Sequence, residues 1–122
     1  MRPTLLIVDD HTGFRSLARR LLTSGGFEVV GEAADGHAAV TAARRLRPDV
    51  VLLDVQLPDI DGFEVASRLR QDSVGPAVVL TSSRDRTDYG ERVDRSGARG
   101  FIPKAELSGA AMRALLGRDR MG

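Results

Sequence analysis

Val50-Val51-Leu52-Leu53-Asp54 is an unbroken apolar run that stops on a carboxylate. It continues as Val55-Gln56-Leu57-Pro58-Asp59-Ile60-Asp61-Gly62. Four successive apolar residues without polar alternation read as a strand covered by helices on both faces. Two further runs have the same form. Leu5–Val8 ends at Asp9-Asp10, and Ala77–Leu80 ends at Thr81. Weaker strands fit Phe27–Ala33 and the neighbourhood of Gly100–Ile102, which leads through Pro103 to Lys104.

Helical patterns fill the intervals. Phe14, Leu17, Ala18, Leu21 and Leu22 lie on one face of a helix. Thr12 is placed to cap it and Gly25-Gly26 to stop it. Ala39, Ala43 and Leu46 mark a second helix ended before Pro48. Phe63, Ala66, Leu69 and Arg70 mark a third. The stretch 84–96 is a poor helix, with only Tyr89 and Val93 apolar and Gly90 inside it, so a short, exposed, mobile helix is expected there. A last helix is predicted from about Glu106 to Leu116, with Leu107, Ala111, Ala114 and Leu115 on its apolar side. The fold class is therefore α/β: five βα units, a parallel sheet and helices on both faces. Right-handed crossovers limit the winding options, and for five strands the common order is 2-1-3-4-5, with a crevice at the carboxyl ends of strands 1 and 3.

Composition narrows the alternatives. One domain of 122 residues can bury a core without staples. Without cysteine there is neither a disulfide framework nor a thiolate metal site. No apolar run approaches the ~20 residues needed to span a bilayer, and the opening Met1-Arg2-Pro3-Thr4 does not lead into a signal peptide. A formal net charge of +1 gives no basic face for nucleic acid or membrane. A cytoplasmic location is expected. The only lysine among the 18 basic residues is Lys104.

On the 2-1-3-4-5 frame, Asp9, Asp10 and Asp54 converge on one crevice, with Thr81 and Lys104 on the neighbouring strand ends. Three clustered carboxylates repel one another unless a cation compensates them. Oxygen ligands of this kind suit Mg²⁺, which commonly keeps water and phosphate in its coordination shell. A carboxylate can also serve as nucleophile in phosphoryl transfer, where a lysine and a hydroxyl meet the charge on the phosphoryl oxygens.

These residues, in Leu-Leu-Asp-Val-Gln-Leu-Pro-Asp-Ile-Asp-Gly, Val-Leu-Thr-Ser-Ser and Gly-Ala-Arg-Gly-Phe-Ile-Pro-Lys, resemble the receiver domain of two-component response regulators over residues 1–122. The resemblance implies two-component signal transduction with Asp54 as phosphoacceptor. It implies Mg²⁺ held by Asp10, Asp54 and the Gln56 backbone carbonyl, with Asp9 acting largely through water. Lys104 and Thr81 would meet the phosphoryl group. Phe101 would stand at the aromatic switch position and turn inward as Thr81 moves. The implied partners are a sensor histidine kinase or histidine phosphotransfer protein, a downstream protein, and a second copy of the chain through the last helices. No contact of this domain with nucleic acid or membrane is implied.

Two departures from the family pattern bear on the switch. Ala105 follows Lys104 where the family often has a proline after a cis bond. A cis bond before Ala105 would cost roughly 2.5–4 kcal/mol, so trans is predicted. Phe101 also lacks the hydroxyl of a tyrosine. Asp61 and Gly62 are expected to open the third helix, with Pro58 shaping the loop and Asp59 an ordinary loop acid. Gln56 and Ser83 are placed to influence phosphoryl lifetime. His11 is expected as a solvated loop residue at the site rim, and His37 has no assigned role. Arg19-Arg20 and Arg44-Arg45 read as solvated helix faces, the first pair close to where a kinase docks in the family.

Other function classes fit less well. An aspartyl-phosphate phosphatase needs a general acid where Gln56 stands, so a switch rather than a turnover enzyme is expected. A flavodoxin-like cofactor binder would not place an acidic loop after strand 1. The alternative is a receiver fold acting as an interaction module without phosphorylation. The chain reads as a stand-alone regulator in preference to a receiver cut from a longer one, and its end, Arg118-Asp119-Arg120-Met121-Gly122, resembles neither a tag nor a clear linker.

Overall fold

The computed structural model describes residues 2–72 and 75–121, the side chains of 118–121 excepted. The start at Met1 and the side chains of the last five residues lie outside it. The apolar runs become β1 (Thr4–Val8), β2 (Glu28–Ala33), β3 (Val50–Asp54), β4 (Ala77–Ser82) and β5 (Gly100–Pro103). Between and after them lie α1 (Thr12–Ser24), α2 (Gly36–Leu46), α3 (Gly62–Arg70), α4 (Glu91–Arg95) and α5 (Gly109–Met121). All pairings are parallel and the strand order is β2-β1-β3-β4-β5.

The missing polar alternation has a direct cause. Leu6, Val8, Val51, Leu53 and Leu80 pack with residues of α2, α3 and α4. Their strand neighbours Leu5, Ile7, Val50, Leu52 and Val79 pack with Ala18 and Leu22 of α1 and Met112 of α5. Both faces of the central strands are thus buried. Each fully buried aliphatic side chain contributes on the order of 1.5–3 kcal/mol to holding the sheet between its helices.

Several boundaries differ from the sequence expectation. Thr12 is the first residue of α1 rather than its cap. His11 occupies the capping position without a side-chain bond to the helix N–H groups, and its own N–H donates to Asp9 Oδ1 at 2.8 Å. Leu17 is exposed at 41% while Ala18 and Leu22 are buried, so the buried stripe of α1 is narrower than the periodicity implied. Gly25 ends α1 as expected, followed by Gly26 at φ 98°.

The last helix starts at Gly109, not near Glu106. Lys104–Glu106 form a separate 3₁₀ turn and Leu107 is extended. Ser108 Oγ then accepts the Ala111 N–H at 3.0 Å. Among the described residues of α5, Gly109 and Met112 are buried and Ala114 is exposed. The stretch 84–96 is weakly helical, as predicted: a 3₁₀ turn (Arg86–Asp88), Gly90 at φ 57°, and the five-residue α4.

Candidate functional site

Strand register sets the geometry. Val8 pairs with Leu53, so Asp9, one residue further, stands beside Asp54. Asp54 pairs with Thr81, and Thr81 with Ile102. The sheet therefore delivers Asp9, Asp10, Asp54, Thr81 and Lys104 to one edge. Gly62 lets the following loop turn tightly over β3. Its N–H donates to the Val55 carbonyl at 2.7 Å, and a Cβ there would lie 2.4 Å from the Asp54 carbonyl oxygen.

Lys104 Nζ lies 2.6 Å from Asp9 Oδ2 and 3.3 Å from Asp54 Oδ2. It also lies 4.5 Å from the centre of the Phe14 ring, which the ammonium faces from above. Asp9 is completely buried and Asp54 nearly so, whereas Asp10 is exposed. Asp54 Oδ1 accepts the Gln56 N–H at 3.0 Å. Arg15 donates to the Asp9 carbonyl at 2.6 Å and fixes the turn after β1.

Burial works against the charge on Asp9, but the bonds from Lys104 and the His11 N–H outweigh it and hold the carboxyl below its usual range. Asp54 goes the other way. Burial, reinforced by the negative charge of Asp9, pushes it up to about 6 against the opposing pull of the Gln56 N–H and Lys104. Burial also disfavours the Lys104 ammonium, yet the two carboxylates win and raise its pKa.

His11 is exposed, as expected, but it is not merely solvated. Its Nδ1 lies 3.2 Å from Asp9 Oδ1 and 3.0 Å from Asp10 Oδ1. Ligand atoms of Asp9, Asp10, His11 and Asp54 all lie within 4.8 Å of one another. Mainly carboxylate oxygens, packed this closely and only partly compensated by Lys104, match what Mg²⁺ requires.

Thr81 is buried, and its hydroxyl donates to the Ile102 carbonyl at 2.6 Å rather than to the acids. Phe101 is half-buried and packs near Tyr89 rather than in the acidic cluster. The Gln56 and Ser83 side chains are exposed. Among the described residues no peptide bond is cis, so the bond before Ala105 is trans as predicted.

The family model for the response regulator receiver domain matches residues 5–115. The chain belongs to this family. This receiver domain is 38% identical over 100 residues to the transcriptional regulatory protein PdtaR of Mycobacterium tuberculosis, covering 82% of this chain and 48% of that protein. The chain spans about half the length of the curated relatives it matches. The signal receiver domain of the response regulator NarL from M. tuberculosis superposes with a TM-score of 0.84 at 35% identity, covering 95% of this chain and 98% of that one. The CheX–CheY–BeF₃–Mg²⁺ complex from Borrelia burgdorferi matches with a TM-score of 0.81 at 28% identity, covering 93% and 85%. Two-component signalling is thus the setting of this domain. Among the described residues no helix is long and apolar enough to cross a membrane.

Three features of the receiver domain escaped the sequence reading. Asp59 is no ordinary loop acid: it accepts the Gly36 N–H at 2.8 Å and the His37 N–H at 2.9 Å, tying the loop after β3 to the start of α2. Arg19 joins Arg15 on Glu32, and Arg44 meets Asp72, so neither arginine is only a solvated face. Tyr89 bonds to Ser82 (2.7 Å between oxygens). Only this last feature carried a signal in the sequence, a lone aromatic in an otherwise polar segment.

Proposed function

We propose that Asp54 accepts a phosphoryl group from a phosphohistidine on a sensor kinase or histidine phosphotransfer protein, and that the loaded domain controls a downstream protein. The observation that supports this most is the buried Asp54 carboxylate, bridged to Lys104 and bordered by Asp9 and Asp10. Asp9 is also buried and paired with Lys104, but at 2.6 Å against 3.3 Å for Asp54 it is the more tightly held of the two.

An Asp54 oxygen attacks the phosphorus. The P–O bond forms as the P–N bond to the donor imidazole breaks, and the nitrogen leaves with the electron pair. With its pKa near 6, Asp54 is mostly ionised at neutral pH and ready to attack. Lys104 moves from balancing two carboxylates to facing a phosphoryl oxygen. Thr81 releases the Ile102 carbonyl and donates to another. Asp10, Asp54 and the Gln56 carbonyl would hold Mg²⁺, with Asp9 acting through water. When bound, the ion neutralises carboxylate and phosphoryl charge in the crevice. Gln56 offers no general acid for turnover, so the domain serves as a switch.

The test is incubation with Mg²⁺ and acetyl phosphate followed by intact-mass measurement. One phosphate adduct is expected on the parent and none on Asp54→Asn. Absence of an adduct, with a kinase donor as well, would leave the phosphorylation-independent interaction module as the better reading.

A further inference from the structure

We propose that Tyr89, through its hydroxyl bond to Ser82, holds the β4–α4 segment in the unloaded arrangement and reports the state of Asp54 to the signalling face. The inference rests on phosphoryl loading at Asp54.

From Ser83 to Arg92 every residue except Tyr89 is exposed. Tyr89 is therefore the one side chain of this segment that is drawn out of solvent before Val93, while the exposed Arg92 stacks over Phe63 at 4.3 Å and bonds Asp61 at 3.0 Å. Its hydroxyl lies 2.7 Å from Ser82 Oγ, and Ser82 is completely buried. The same Ser82 oxygen accepts the Arg84 N–H at 3.1 Å, so one side chain fixes both the exit from β4 and the tyrosine. The Tyr89 ring stands edge-on to Phe63 of α3, with ring centres 5.7 Å apart, and tilted against Phe101 of β5 at 6.0 Å. Tyr89 thus touches three elements around the site.

Ser82 follows Thr81 directly. Thr81 must abandon the Ile102 carbonyl to serve a phosphoryl oxygen, and a displacement of Thr81 carries Ser82 with it. The Ser82–Tyr89 bond resists that displacement and transmits it when it occurs. Phe101 has no hydroxyl to bond with, whereas Tyr89 supplies one from the neighbouring segment. Tyr89 is a positioning residue: its ring and hydroxyl act on Asp54 only through Ser82 and Thr81.

The chain contains one tyrosine and no tryptophan, so tyrosine emission reports Tyr89 alone. Beryllofluoride with Mg²⁺ is titrated into the full chain, with loading followed by fluorine NMR and Tyr89 by emission. In the parent, emission should change in step with loading. Tyr89→Phe keeps the ring and removes the hydroxyl bond. It should fold normally and bind beryllofluoride about two- to tenfold more tightly, the range for losing one neutral hydrogen bond from the unloaded state. Ser82→Ala should start from an altered emission and give a smaller change on loading. Loading without any change in parent emission would overturn the inference and leave Asp54 as acceptor intact. Unchanged affinity in Tyr89→Phe would also overturn it. Absence of loading in the parent would overturn both.

Discussion

At Asp54 the unloaded protein carries a carboxylate that burial and the neighbouring Asp9 disfavour. The folded pKa, about 6, exceeds the unfolded value near 3.9. Such a group opposes folding at pH above 6, and the penalty disappears as pH falls through 6 toward 4. Asp54→Asn should therefore stabilise the metal-free domain by about 1–3 kcal/mol at pH 7.5 and by much less at pH 4.5. Urea denaturation in the presence of a chelator measures both, and a gain independent of pH would refute the argument. Lys104 has the opposite sign. Lys104→Met leaves the fully buried Asp9 without its cation. A loss of about 3 kcal/mol is expected under the same conditions, the scale for breaking a buried pair from one side. Two substitutions in one cluster should thus move stability in opposite directions.

Among the elements, the loop between β3 and α3 shows how partners distant in sequence escape a reading by motif. Asp61 was legible as the cap of α3, because Asp-Gly before an apolar stripe is a local signal, and its carboxylate accepts the Glu64 N–H at 2.9 Å. Asp59 was not, because its partners Gly36 and His37 lie more than twenty residues away. Partial burial works against its charge, but the two N–H donors prevail and hold the carboxyl well below the ordinary range. Because the folded pKa is depressed, its contribution is complete above the unfolded value near 3.9 and is lost as pH falls below it. The parent should be more stable than Asp59→Asn at pH 6, and the difference should shrink at pH 3. Equal differences in urea midpoint at the two pH values would remove Asp59 from this role. The start of α5 was missed for a related reason. Leu107 continues the apolar pattern, yet it is held extended by the 3₁₀ turn at Lys104, which the pattern does not encode.

For the whole molecule, five apolar runs and the handedness of their crossovers limited the winding, and the order common for five strands, β2-β1-β3-β4-β5, is the one observed and brings the four charged site residues together. Rotamers were beyond that reasoning, as the hydroxyl of Thr81 on the Ile102 carbonyl shows. The consequence of the topology is that two β–α junctions, after β1 and β3, deliver three carboxylates to the same crevice, so the fold as a whole bears the repulsion. A cation bound there should stabilise global folding by linkage, about 2.7 kcal/mol when its free concentration is a hundred times its Kd. For a domain of this length that is roughly 10 °C in Tm. Thermal unfolding across a Mg²⁺ titration should show a rise that follows this logarithmic law and is strongly reduced in Asp54→Asn, which lacks one of the proposed carboxylate ligands. Ca²⁺ and Na⁺ series at matched ionic strength separate site binding from general screening, since screening alone would raise the parent and the variant equally. An equal rise in both proteins would mean that the acidic crevice takes no specific cation, and the Mg²⁺-dependent step proposed for Asp54 would lose its physical basis.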